Sequence, residues 1–245
     1  MPNDLHTVLS GIHGLKVDAV ERSVPACADH AFAWAGKLLA APHPRARADF
    51  GSAHQRAWLE AMSNLSAWKT RQIDLNLPAS EKLLIVGWYF PELASLLGTA
   101  EKKHVIVLVS NDAPWLSELK DAGTTLNFRA EGGAAALAAY MREGRNVFAM
   151  MDNIHPGTEF IRSPFFGRPA KTPAAILRLA IRNGYTLALI APRDNRVEVV
   201  ATLPTAGKQP EDLAAWVNQK IEQEVRRAPE RWLSWPTLAY RFQAS

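Results

Sequence analysis

One cysteine, Cys27, stands among 245 residues, so no intramolecular disulfide can brace the fold and a reducing compartment suits the chain. Long apolar runs are missing as well: none approaches the ~18–20 residues that a bilayer-spanning helix needs. The opening residues show no basic stretch leading into an apolar core and a small-residue cleavage site, so secretion is not expected. There is no G-x-S-x-G elbow, no G-x-G-x-x-G turn and no G-x-x-x-x-G-K-S/T loop, which removes the common nucleophile and phosphate-cradle signatures. Seven scattered histidines, with no H-E-x-x-H, give no metal-ligand spacing, and no metal site is expected. A dense basic patch interleaved with aromatics is also absent, so nucleic acid is not an expected partner.

What is present is the composition of a globular protein. With 48% hydrophobic and 21% charged residues, the chain is long enough for one large core, and a single domain over residues 1–245 is expected. The formal charge of +4 is mild. It suits peripheral contact with an anionic membrane surface or an acidic carrier protein, and equally an ordinary solvated surface. A cytoplasmic location is expected, with peripheral contact at the inner membrane as its extension.

Residues 1–78 read as a helical N-terminal region. From Val24 to Ala41 the residues Phe32, Trp34, Leu38 and Leu39 anchor a helix that Pro42 and Pro44 end. From Ser52 to Thr70, Trp58, Met62, Leu65 and Trp68 recur at helical spacing. Arg45, Arg47 and Arg56 lie between and at the start of these helices, either as a membrane contact or as a wet loop. Residues 79–245 read as an α/β core. Apolar strands at Leu83–Val86, Val105–Val109, Val147–Met151 and Thr186–Ala191 alternate with helices at Pro91–Leu97, Pro114–Ala122, Ala134–Arg142 and Pro173–Asn183. Thr124–Arg129 and Arg196–Leu203 alternate as further strands, and Glu211–Arg227 is an amphipathic helix with Leu213, Trp216, Val217, Ile221 and Val225 inward. Continuous apolar strands between helices predict a central, largely parallel sheet with helices on both faces.

In such sheets ligands bind at the carboxyl ends of the strands. The polar segment Asp152-Asn153-Ile154-His155-Pro156-Gly157 follows the Val147 strand directly and leads into Ser163-Pro164-Phe165-Phe166-Gly167-Arg168-Pro169-Ala170, read as a loop. Together with Gly184, Leu187–Ile190 and the tail Pro229-Glu230-Arg231-Trp232, Trp235, Tyr240 and Arg241, this order resembles the lipid A biosynthesis acyltransferases, the lauroyl and myristoyl transferases related to lysophospholipid acyltransferases. The resemblance runs from about Leu83 to Phe242 and implies a glycerolipid-acyltransferase-like fold.

The resemblance further implies transfer of a fatty acyl group from an acyl carrier protein or coenzyme A thioester to a hydroxyl or amine, with no cofactor beyond that thioester. In the family a motif H-x-x-x-x-D/E joins a base to the acid that orients it. Here Glu92 matches the acid, and the histidine position is Gly87, which cannot act as a base. The adjoining Trp88-Tyr89-Phe90, bulkier than the family's usual residues, can fill a site as readily as line one. His13 and Asp18 have the motif spacing but lie far upstream, and seven histidines among 24 acidic residues make such a pair commonplace. His155 is better placed: it is either the displaced base, oriented by Asp152 or Glu159, or a loop histidine bonded to backbone. Glu92 is either an orienting acid or a first-turn helix carboxylate.

The candidate catalytic residues are therefore Glu92, Asp152 and His155. The candidate substrate contacts are Gly87, Arg162, Phe165, Phe166 and Arg168, the arginines (with Arg193) as phosphate forks and the phenylalanines as packing that also walls an acyl groove. Two function classes stay open: an acyltransferase with an altered acid–base set, and a catalytically inactive relative that binds an acyl chain, an acyl carrier or a partner acyltransferase.

Overall fold

Short runs of apolar residues without polar alternation become the centre of a sheet. The computed structural model describes residues 28–29, 31–39, 47–66, 77, 82–93, 96, 104–109, 125–152, 154, 158–193, 196–235 and 238–243. After a helical stretch at residues 31–38, the elements are α1 (Arg47–Ser66), β1 (Leu83–Gly87), β2 (Ile106–Val109), β3 (Thr125–Asn127), α2 (Gly133–Arg142) and β4 (Val147–Met150). There follow β5 (Phe160–Phe165), β6 (Arg168–Pro173), α3 (Ala175–Arg182), β7 (Thr186–Arg193), β8 (Arg196–Pro204), α4 (Pro210–Arg227), a 3-10 turn (Pro229–Arg231) and α5 (Leu238–Phe242). The expected helix at Pro114–Ala122 lies outside the described residues, as do Trp68 and the side chains of Met62 and Leu65.

Six strands form one sheet in the order β3-β2-β4-β1-β7-β8. The first five run parallel, and β8 returns antiparallel to β7. Helices flank the sheet, as the alternation of elements predicts. Every residue of β1 is buried, because strands on both sides and layers on both faces cover it. Burial of each such Val, Leu or Ile contributes about 1.5–3 kcal/mol. From β4 the chain travels past β1 to β7, whereas from β1 it travels past β4 to β2. These opposed departures put the topological switch point, where open sheets accept ligands, between β1 and β4.

Two expectations need correction. The segment Ser163–Ala170, read as a loop, is an antiparallel hairpin of β5 and β6. Its prolines suggested a breaker, but Pro164 and Pro169 face each other in the ribbon, at a pair where no ladder hydrogen bond is required. The two-residue turn has Phe166 at φ 50 and Gly167 at φ 69, the sign pattern of a type I′ turn. A phenylalanine is strained there. The strain is offset because the ring is buried against Phe165, Trp232 and Trp235, and its backbone N–H donates to Glu222 Oε2 at 2.6 Å. The second correction concerns the basic group: α1 begins at Arg47 rather than Ser52, so Arg47 and Arg56 are exposed on a helix. Arg47 pairs with Asp29 at 2.9 Å.

Helix α1 is docked on the C-terminal segment through a neutral imidazole. Trp58 Nε1 donates to His54 Nε2 at 3.2 Å, so Nδ1 must carry the proton that reaches Glu230 O at 2.7 Å. His54 is fully buried, and burial lowers its pKa to about 4 against the pull of that backbone bond. A base with a depressed folded pKa binds its proton more readily when unfolded. Its contribution is full above pH ~6.5 and is lost as pH falls toward 4. Urea unfolding followed from pH 7 to pH 4 should show about 3 kcal/mol of lost stability from this residue, and His54→Gln should remove most of that slope.

Candidate functional site

The switch point is occupied by a carboxylate that the fold itself uses. Asp152 follows β4 directly, and the chain is drawn to β1 by Met151 N–H donating to Gly87 O at 2.9 Å. Asp152 is fully buried, and its Oδ2 accepts three hydrogen bonds: from Tyr89 N at 3.0 Å, Trp232 Nε1 at 2.7 Å and Ser234 Oγ at 2.6 Å. Leu233 N in turn donates to Tyr89 O at 2.8 Å, so the segment after the 3-10 turn is stitched to the segment after β1. Asp152 Oδ1 has no partner among the described residues. A second buried charge lies within electrostatic reach. Burial pushes the Arg241 guanidinium down to about 10, and Asp152 opposes that shift. Arg241 donates to Asn218 Oδ1 at 3.0 Å and to Lys171 O at 3.3 Å, and its face covers the Phe165 ring. Asn218 also donates to Ser163 Oγ at 2.6 Å and accepts from Thr172 Oγ1, which ties α4 to the hairpin.

Gly87 sits where a side chain would collide. A Cβ built there would meet Phe148 Cε2 at 3.1 Å and Cζ at 3.3 Å, with Ile190 at 3.5 Å. Any larger residue at 87, a histidine included, requires the Phe148 ring to give way. Glu92 is drawn elsewhere. Arg231 donates one nitrogen to Glu92 Oε1 and holds Glu60 of α1 through both, at 3.0 and 3.2 Å. Burial pushes the Glu92 carboxyl above the usual carboxylate range, against the pull of Arg231.

Two hollows open at the carboxyl edge. Beyond β1 and β7 lies a cleft of about 430 Å³, with the buried Trp88 and Phe90 in its wall. Its charged lining is Glu60, Glu92 and Glu224 against Arg193, Arg227 and Arg231. Arg193 grips Glu224 with both nitrogens at 2.8 Å, which commits it to a carboxylate rather than a phosphate. Beyond β2 and β4 lies a smaller hollow of about 100 Å³, lined by Leu108, Phe128, Leu137, Ala149, Met150, Met151, Thr158, Pro173, Ala175 and Ile176. Only Thr158 in that lining has a polar side chain.

Gly87 and Asp152 are thus brought together, while Glu92 is turned into the charged cleft. Phe165 and Phe166 line neither of these two hollows; they are buried in an aromatic cluster with Trp232 and Trp235. Arg162 donates to Gln243 O, and Arg168 lies over the Phe242 ring at 4.7 Å, so both cations are on the hairpin's outer side and in neither hollow. His155 and Asn153 lie outside the described residues. Glu159 is exposed and paired with Arg178 of α3.

The model of the bacterial lipid A biosynthesis acyltransferase family matches residues 126–238. Over that stretch, rather less than half of the chain, the sequence is similar to this family. The matched segment contains Asp152, the hairpin, α4 and the Arg231–Trp235 latch, whereas β1, Gly87 and Glu92 precede it. No curated protein matches the chain. Among the described residues no helix is long and apolar enough to cross a membrane, and no group of three His, Cys, Asp or Glu could hold a metal ion. Trp232 and Arg231 were legible only as part of the family-like tail and Ser234 not at all; nothing in the sequence marked them as partners of Asp152 and Glu92.

Removing the Asp152 carboxylate leaves three buried donors unpaired. Asp152→Ala should cost about 3–5 kcal/mol in urea unfolding, with Asp152→Asn recovering part of the loss through its remaining carbonyl. Gly87→Ala should cost about 1–3 kcal/mol by overpacking against Phe148.

Proposed function

We propose that this chain binds a fatty acyl group, presented as an acyl carrier protein or coenzyme A thioester, and that it does so without the strand-end histidine–carboxylate chemistry of the acyltransferase family. The observation that carries the reading is the apolar hollow beside Asp152: apart from Leu108, its whole lining belongs to the family-matched stretch. An apolar pocket at the strand ends suits a hydrocarbon ligand. The absence of histidine-driven turnover is supported by position 87, which carries no side chain and where even a Cβ would press on the Phe148 ring. Glu92, held by Arg231, supports it too. The surplus of four positive charges supports contact with an anionic membrane surface on the cytoplasmic side, where acyl carriers and lipids meet.

A second reading has one observation in its favour. Met151 and Thr158 both line the apolar hollow, and His155 lies between them in sequence. In that reading His155 removes the proton of an acceptor hydroxyl or amine as it attacks the thioester.

Incubation of the chain with radiolabelled acyl carrier protein and a lipid extract separates the two. A stable complex with no acylated product is expected, and Gly87→His should not create a product because Phe148 blocks the position. An acylated product that disappears in His155→Ala would overturn the first reading in favour of the second.

A further inference from the structure

The charges of the cleft beyond β1 and β7 are not paired one to one. Glu60 and Glu92 both accept from the single guanidinium of Arg231. Arg193 and Arg227 both lean on the single carboxylate of Glu224, Arg193 through two nitrogens at 2.8 Å and Arg227 at 3.7 Å. One triplet therefore carries an excess negative charge and the other an excess positive charge, although the two cancel in sum. Two groups register the mismatch. Glu92 is only 9% exposed, and its Oε2 has no hydrogen-bond partner among the described residues. Arg227, exposed in the last turn of α4, makes no hydrogen bond among those residues and keeps only the long contact with Glu224.

A ligand with one kind of charge satisfies one triplet and leaves the other as it was. It also brings the cleft a net charge that the buried carboxylate or the arginines must bear with less water around them. A ligand with both charges satisfies both triplets and keeps the cleft neutral. Trp88, Phe90, Pro192 and Ala228 complete the lining and supply apolar surface for the carbons between its charged ends. The volume of about 430 Å³ suits such a molecule, since small-molecule sites occupy about 300–1,000 Å³.

We infer that this cleft is a binding site for a small dipolar ion, whose ammonium group is held by Glu92 and Glu60 and whose carboxylate or phosphate is held by Arg227 and Arg193. The site is separate from the apolar hollow, and the inference does not depend on acyl binding there. Two sources carry this chemistry: a free amino acid, and the headgroup of an aminophospholipid.

The test measures binding to the full chain by titration calorimetry. The soluble probes are β-alanine, γ-aminobutyrate and phosphoethanolamine, with ethylammonium and acetate as single-charge controls. At least one dipolar probe should bind roughly tenfold more tightly than either control, the equivalent of one added hydrogen bond to a charged group. Glu60→Gln balances the acidic triplet and Arg227→Gln the basic one, and either should weaken that binding roughly tenfold. Neither side chain is buried, so both variants should stay folded, as circular dichroism would verify. Cosedimentation with phosphatidylcholine vesicles, with and without phosphatidylethanolamine, then identifies the source. Retention that needs phosphatidylethanolamine and is lost in both variants assigns a lipid headgroup; its absence assigns a free amino acid. Dipolar probes that bind no better than the controls, or with affinity unchanged in both folded variants, would overturn the site.

Discussion

The architecture of the sheet's carboxyl edge depends on one buried oxygen. Asp152 Oδ2 accepts from the backbone after β1, from an indole and from a hydroxyl of the C-terminal segment, so three stretches distant in sequence converge on a single acceptor. Taking a carboxylate out of water costs several kcal/mol, and only well-placed donors and a compensating charge offset it. Both are present: the three hydrogen bonds on one side, and the Arg241 guanidinium within electrostatic reach on the other. The arrangement lies at the switch point between β1 and β4, where an open α/β sheet most readily accepts a ligand. Here the fold has spent that position on its own cohesion, and the space for a ligand is displaced to either side.

The same conversion is visible at the neighbouring acid. A carboxyl that orients an imidazole must have one within hydrogen-bond reach, and position 87 supplies no side chain and would take one only if the Phe148 ring gave way. Glu92 instead shares Arg231 with Glu60, which ties the loop after β1 to α1 and to the turn after α4. Arg231 therefore supplies the cation that neutralises an acid for which position 87 offers no imidazole. A buried carboxyl left without either partner would carry the full desolvation penalty.

The sheet was legible in the sequence because Leu83–Val86, Val105–Val109, Val147–Met151 and Leu187–Ala191 are apolar on every residue, as short strands covered on both faces are. Asp152 was legible as a strand-end polar residue, and the resemblance to the acyltransferases as an ordered set of motifs around it. The hairpin was not, because Pro164 and Pro169 argue against strand locally, and only their mutual pairing makes them acceptable. Nor were the partners of Asp152 and Glu92, because Trp232, Ser234 and Arg231 reach them from 80, 82 and 139 residues along the chain, through a tertiary path that no local pattern encodes. Periodicity reports what a segment buries. It does not report what two segments exchange.

The two hollows differ in what they can recognise. The charged cleft sets three arginines against three glutamates, so its net field is near zero, and an anionic headgroup gains little by long-range attraction. Any such group would have to break an existing pair, and Arg193 is held at two points by Glu224. Arg227 is the least committed, at 3.7 Å from a Glu224 oxygen that Arg193 already engages. The apolar hollow has no such competition, because filling it displaces only water. The apolar lining of the one hollow and the mutually paired charges of the other thus offer a hydrocarbon more unopposed contact at this edge than they offer an anion.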